Sequence, residues 1–458
     1  MAGRARSLDM LHGSLWDKIV IFALPLAFTG ILQQLFNTAD VMVLGRYVSN
    51  EAMASVGSNV PFIGLIVGLA MGLSLGANVV IARYLGMRDD EKANRGVQTA
   101  FVIAVVLGLS LMTIGELAVD QIMEMLAVPK EVESHARTYL RIYLLGLPFM
   151  TVYNFLAAAF RSKGDTQTPL IALGIASLFN IFGNLVSVLV FDMGIAGVAL
   201  STSLANALAA SLMFVKQVRL KGPLGLKPLK CWKEFDYESC RIIFRIGLPA
   251  AIQSMVFSLS NLIVQAAINS LGPDAMAGSV AAFTIEINVY CFINAFGLAA
   301  TTFISQNYGA KNIARCKRIM WISLGLNFLA TTMMIAVLMI FAHQLLGLFS
   351  SNAENIKIGY LRLLYVVVPE GINSVIETLS GAMRGYGYSL PPALVTVVCI
   401  CSVRIIWVYT AFAAKPTFEC LMMVYSVSWT VTGIGLMLLY MHHQKLLTKK
   451  SDVLTRAQ

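Results

Sequence analysis

Twelve runs of mostly apolar residues follow one another along the chain, and a helix that crosses a bilayer needs about 20 such residues. The runs lie near 18–45, 53–82, 96–118, 138–160, 168–191, 194–216, 242–270, 276–305, 319–343, 357–383, 390–413 and 417–441. The connections are short, and none is long enough for a separate soluble domain. Composition agrees: of 458 residues, 57% are hydrophobic and 13% charged, against about 25% charged in a soluble domain. A chain like this cannot cover its apolar surface in water. That excludes an ordinary cytosolic enzyme, a disordered tail and a fibrous protein. The first run is too long for a signal-peptide core and no small-residue cleavage pattern follows it, so it is expected to stay as the first helix.

Charge sets the orientation. The formal net charge is +10, from 34 Lys+Arg against 24 Asp+Glu. With both termini placed in the cytoplasm, 26 basic residues fall on inside segments, 7 on outside ends, and Arg404 alone within a span. That bias is the positive-inside pattern, and it accounts for the charge without nucleic acid. The seven cysteines (Cys231, Cys240, Cys291, Cys316, Cys399, Cys401 and Cys420) lie within spans or at cytoplasmic ends, so structural disulfides are not expected. No His/Cys cluster has zinc spacing, and His442 and His443 are assigned to the headgroup region.

The two halves repeat. Leu24-Pro25 and Leu248-Pro249 open helices 1 and 7, 224 residues apart; EAMAS at 51–55 aligns with DAMAG at 274–278. AAFRSKGDTQTP at 158–169 aligns with GAMRGYGYSLPP at 381–392, and Gly86 with Gly309, both at an offset of 223. The expected fold is therefore an all-α membrane protein, twelve transmembrane helices in two pseudo-symmetric bundles of six. The divisions are 1–17 as a cytoplasmic N-terminal segment, 18–216 and 242–443 as the two lobes, 217–241 as a basic cytoplasmic linker, and 444–458 as a cytoplasmic tail. Six spans per half make a parallel repeat, and two such bundles can rock about a central cavity. The Gly-rich run GLAMGLSLG at 68–76 lies within a span and lacks a Lys-Ser/Thr ending, so it is close helix packing, not a phosphate loop.

An ionisable group inside a span is a functional hypothesis by default, because buried charge in lipid is costly. Gln33, Asn37 and Asp40 share one face of helix 1. Ser177, Asn180, Asn184 and Ser187 form a stripe on helix 5, and Thr202 on helix 6 can reach the same space. A lone carboxylate among amides and hydroxyls suits a proton or a hard monovalent cation; amide stripes also serve as interhelical glue. Asp40, Asn180, Asn184 and Thr202 are the candidate ion-coupling residues. Candidates for a substrate cavity are Gln33, Gln34, Asn37, Tyr139, Gln253, Asn261, Gln265, Glu286 and Tyr290. Glu286 and Tyr290 are i+4 neighbours, and an acid beside a ring attracts large cations. Arg404 is a candidate partner for Glu370, Glu377 or Glu286, most simply as a structural ion pair with Glu370 or Glu377.

With these residues in hand, the chain resembles the multidrug and toxic compound extrusion (MATE) transporters. The likeness rests on the two six-span lobes, the Leu-Pro openings of helices 1 and 7, QQLFNTADVMVLG at 33–45, and the AAFRSKGDTQTP and GAMRGYGYSLPP segments. It covers nearly the whole chain. It implies a bacterial inner-membrane antiporter that exports organic cations or amphiphilic drugs in exchange for H⁺ or Na⁺ by a rocker-switch. It also implies that Asp40 is the acid of helix 1, with Asn180, Asn184 and Thr202 at the amino-lobe cation site. Where several relatives carry a second acid on helix 5, this chain has Asn184; where the NorM-like branch has an acid on helix 7, this chain has none. It looks closer to DinF-like and related bacterial members. No cofactor beyond the coupling ion is expected, the partners are the bilayer and a small molecule, and the protein is expected to be a monomer. Three rivals are a flippase of lipid-linked or amphipathic precursors, a membrane-embedded enzyme, and a channel. The acids argue against the first, the lack of a catalytic cluster against the second, and the unequal polar faces of the two lobes against the third.

Overall fold

The structure, a computed structural model, describes residues 8–126, 128–349 and 352–456. The outermost parts of the two end segments, 1–7 and 457–458, lie outside the described residues. In hydrocarbon no water can satisfy backbone polar groups, so spanning segments close their hydrogen bonds internally as helices. Among the described residues there are sixteen α-helices and no strand. The first lobe of the repeat contains α1 (Trp16–Tyr47), α2 (Asn50–Gly86), α3 (Asp90–Leu117), α4 (Val119–Met125), α5 (Lys130–Leu145), α6 (Leu147–Ser162), α7 (Gln167–Leu189) and α8 (Gly194–Arg219). The second contains α9 (Tyr237–Asn269), α10 (Pro273–Gly309), α11 (Ile313–Ile340), α12 (Ala342–Gly347), α13 (Ala353–Arg362), α14 (Glu370–Gly385), α15 (Leu390–Trp407) and α16 (Phe418–Arg456). Short π-helical segments, Leu363–Val367 and Val408–Phe412, follow α13 and α15.

Ten of these helical stretches are long and apolar enough to cross a membrane, and eleven if α5 and α6, bent by 45° at Gly146, count as one span. The expected span at 357–383 is the exception. It is built from α13, a π-helical segment and α14, and it carries Lys357, Arg362, Glu370 and Glu377. Its charges and its broken helix keep it below the others by length and apolarity. Helix starts follow local chemistry: the Ser49 hydroxyl accepts from the Ala52 N–H at α2, and the Asp89 carboxylate from the Lys92 N–H at α3.

The repeat reaches the backbone itself. Arg88 and Lys311, 223 residues apart, both take φ near +58° in the turns after α2 and α10. Gly164 and Gly387, also mates, take φ +91° and +83°, a conformation that glycine adopts without steric cost.

The described residues form two compact units. The first comprises the described parts of Met1–Gly13, Leu24–Met255 and Ser305–Asn312; the second comprises the described parts of Ser14–Ala23, Val256–Ile304 and Ile313–Gln458. The division within α1 falls one residue before Pro25, where the helix loses a backbone hydrogen bond. In the first unit, α7 packs on α8, α3 on α6 and α2 on α6, around a core that includes Phe155, Leu156, Ala176 and Met213. Gly72 lies so close to α9 that a Cβ there would stand 2.4 Å from the Ala251 backbone, which is the close packing the glycine run implies. In the second unit α14 packs on α11 and α16, and α15 on α16.

Candidate functional site

α1, α7 and α8 bring one carboxylate and three neutral donors together in the first unit. Asp40 is 2% exposed. Its Oδ1 accepts from Asn184 Nδ2 at 2.6 Å and from Asn180 Nδ2 at 3.2 Å, and its Oδ2 from the Thr202 hydroxyl at 2.7 Å. Asn180 Nδ2 also donates to Thr202 Oγ1 at 3.0 Å. The stripe on α7 supplies this by periodicity: Ser177, Asn180, Asn184 and Ser187 are all buried on one face. Among the described residues Asp40 has no salt bridge. A carboxylate held only by neutral groups keeps its negative charge uncompensated, so a proton or a small cation is what it lacks. Asn184 Oδ1 is buried without a partner, a further oxygen of the kind a hard cation takes.

Other residues expected near this site spread out. Tyr139 is buried on α5, its ring stacked on Tyr143 with centroids 6.2 Å apart. Tyr143 went unrecognised in the sequence, although it stands one turn after Tyr139. Gln33 and Gln34 are half-buried and Asn37 is exposed, so the face of α1 that ends in sealed Asp40 opens one turn earlier. Gln253, on α9, is buried.

The second unit carries six of these charges on α10, α13, α14 and α15, but pairs them differently from expectation. Arg404 reaches neither Glu370 nor Glu377. Its Nη1 donates to Asn261 Oδ1 and Ser260 Oγ, and its guanidinium stacks over the rings of Tyr425 and Phe257, 4.6 and 5.2 Å away. Glu286 pairs instead with Arg362, whose Nε lies 2.9 Å from Oε2, while Arg362 Nη1 donates to Ser279 at 2.6 Å. Arg362, one of the seven basic residues that the charge pattern assigns to outside ends, is instead 3% exposed, at the end of α13 where the π-helical segment begins. Glu370 is also buried and interacts electrostatically with both Glu286 and Arg362, with its Oε2 unpartnered. Glu377 pairs with Arg384 at 3.3 Å, and Tyr290, expected beside Glu286, reaches Glu377 at 3.5 Å. Gln265 donates to Asn269 at 2.9 Å. The Glu286–Arg362 pair joins α10 to α13, which spacing along one helix does not reveal, whereas Glu377 and Arg384 meet seven residues apart on α14.

The profile of the MatE family matches the chain twice, at residues 25–186 and 249–410, each copy opening on the proline of a Leu-Pro pair and the two starting 224 residues apart. The chain belongs to the MatE family. It is thus the family its motifs resembled, and a multi-pass membrane protein. It is 26% identical over 399 residues to the probable multidrug resistance protein YoeA of Bacillus subtilis, covering 86% of each chain. It is 29% identical over 402 residues to the probable multidrug resistance protein NorM of Thermotoga maritima, covering 85% of this chain and 84% of that one. A crystal structure of MATE in complex with MaL6 superposes with a TM-score of 0.90 at 20% identity, over 97% of this chain and 99% of the other. The fold is the MATE fold, helical throughout its spans and built from two repeats.

Proposed function

We propose that this MatE chain is a secondary multidrug antiporter. It exports organic cations or amphiphilic drugs in exchange for H⁺ or Na⁺, as a monomer in a bacterial inner membrane with both termini cytoplasmic. The observation that carries the proposal is Asp40, sealed from solvent and held by three neutral donors without a counter-charge. The multidrug resistance names of the B. subtilis and T. maritima relatives support the substrate class. Ion binding at Asp40 favours one access state of the rocker-switch, and substrate binding in the opposite state is coupled to ion release, as reciprocal linkage requires. A proton displaces one donor from the carboxylate. A Na⁺ ion instead requires Asn180 and Asn184 to turn their carbonyl oxygens inward.

The test is transport of a cationic dye in proteoliposomes, with a pH gradient and a Na⁺ gradient imposed separately, for the parent and Asp40→Asn. The parent is expected to respond to one gradient and Asp40→Asn to neither. Undiminished ion-driven efflux by Asp40→Asn removes Asp40 from the coupling.

A further inference from the structure

The basic segment between α8 and α9 is docked onto the bundle. Gln98 Nε2 donates to Gly225 O at 2.9 Å while its Oε1 accepts from the Lys227 N–H at 3.1 Å. Asn94 Nδ2 donates to Gly225 O at 2.8 Å, and Thr99 Oγ1 accepts from the Asp236 N–H at 2.9 Å. Leu224 and Leu226 are each 3% exposed and join the core of the first unit. Gln98 and Thr99 stand at the start of the apolar run of α3, so this segment is tied down level with the edge of the hydrocarbon.

On that base the chain makes two successive turns, closed by Lys230 N–H to Lys227 O and Lys233 N–H to Lys230 O, both at 2.9 Å. Cys231 points inward, with 3% exposure and its thiol on Pro228 O. Leu229 and Trp232 therefore point outward, 97% and 66% exposed, and Tyr237 follows at 76%. Between 219 and 245 there are seven basic and three acidic side chains. Lys227 is neutralised by Glu234 at 3.1 Å. Lys221, Lys230, Lys233, Arg241 and Arg245 are exposed and make no salt bridge among the described residues.

We infer that the turn at Lys227–Tyr237 is a binding surface for anionic phospholipid, with Leu229 and Trp232 seated in the leaflet and Lys230 and Lys233 on the headgroup phosphates. An indole and an isobutyl group at a membrane edge gain by entering the interface. Lysine stems lie along apolar surface while their heads reach the phosphates. Unneutralised ammonium groups select an anionic headgroup over a zwitterionic one, each by roughly five-fold. The charge complementarity and the rigid seat at the hydrocarbon edge together single out lipid as the occupant.

The test uses the full chain in detergent, titrated with pyrene-labelled phosphatidylglycerol or phosphatidylcholine. Energy transfer from Trp232 is isolated as the difference between the parent and Trp232→Phe. The expected result is saturable transfer with a midpoint about ten-fold or more lower for phosphatidylglycerol. The double variant Lys230→Gln, Lys233→Gln changes only exposed side chains without salt-bridge partners, and it is expected to raise that midpoint roughly 25-fold. Equal midpoints for the two lipids, or a double variant indistinguishable from the parent, overturn the inference. So does a Trp232 emission in bilayer nanodiscs that is water-like and fully quenched by aqueous iodide. None of these readouts depends on transport, so the inference stands or falls apart from the coupling role of Asp40.

Discussion

The pairing of Glu286 with Arg362 makes an ordered prediction. Their side chains are 10% and 4% exposed and meet at 2.9 Å. At an effective dielectric near 20, two charges about 4 Å apart attract by roughly 4 kcal/mol, and removing one partner of a buried pair costs about 3–5 kcal/mol because the other charge is left uncompensated. The neighbouring Glu370 breaks the symmetry between the two single variants. Glu286→Gln leaves Arg362 with Glu370 in electrostatic reach, whereas Arg362→Met leaves two buried acids without that cation. Arg362→Met is therefore the more damaging, near the upper end of that range, and Glu286→Gln falls near the lower. The double variant removes the pair but leaves Glu370 without that cation, so it is expected to lose less than Arg362→Met and less than the sum of the two single losses. The assay is thermal unfolding of the substrate-free protein in detergent, where a unit of about 200 residues shifts by roughly 2–4 °C per kcal/mol. Arg362→Met should fall by roughly 10 °C, and Glu286→Gln and the double variant each by less. Additive losses in the double variant refute the pairing argument. If Glu286→Gln melts like the parent but loses substrate affinity, Glu286 faces the cavity, as its spacing with Tyr290 first implied.

Backbone contact at the repeat-related glycines gives a second test. A Cβ at Gly86 would stand 1.9 Å from Gln306 O, and one at Gly309 2.2 Å from Arg83 O, so Gly86→Ala and Gly309→Ala should each cost at least about 1–3 kcal/mol, visible as a lowered melting temperature. Gly325→Ala in α11 meets nothing within 4 Å and is expected to be neutral or to stabilise by about 0.5–1 kcal/mol; a loss as large as that of Gly86→Ala would discredit the steric reasoning. Asp236 accepts the Ser239 N–H at 2.8 Å at the start of α9, so Asp236→Ala should cost about 1 kcal/mol. Burial pushes this carboxyl up, but hydrogen bonds from Ser239 and the Glu238 backbone outweigh it and hold it below the ordinary aspartate range. Its contribution is thus present above about pH 4 and is lost on acidification, and melting curves of parent and variant should converge there; a constant gap down to about pH 3 would refute the assignment.

The amino-lobe cluster could be read from the chain because its members obey one helical period each. Asn180 and Asn184 stand four apart on α7, Asp40 is the acid inside the apolar run 18–45 of α1, and Thr202 sits on the next helix of the same lobe. Neutral donors converging on one carboxylate leave little choice of partner. The charges of the second lobe were not legible in the same way. Glu286, Glu370, Glu377, Arg362, Arg384 and Arg404 offer several combinations, and spacing along single helices does not rank them. Arg362 was the most concealed: its place near a span end resembles that of a solvated cation, and the π-helical segment that follows it is invisible in composition. The basic linker shows a similar limit, since its charge was plain but not its docking on Gln98, Asn94 and Thr99.

The sequence by itself determined a helical membrane protein of two homologous halves and the acid inside its first apolar run, Asp40, because apolar run length, repeat offset and helical period are properties of neighbours along the chain. Tertiary structure alone decided which cation meets which acid, where glycines let backbones touch, and which side of the linker faces outward. Those outcomes depend on ångström-scale distances between residues tens to hundreds of positions apart. Ion pairing, desolvation and steric contact change steeply over such distances, and a linear pattern carries no measure of them.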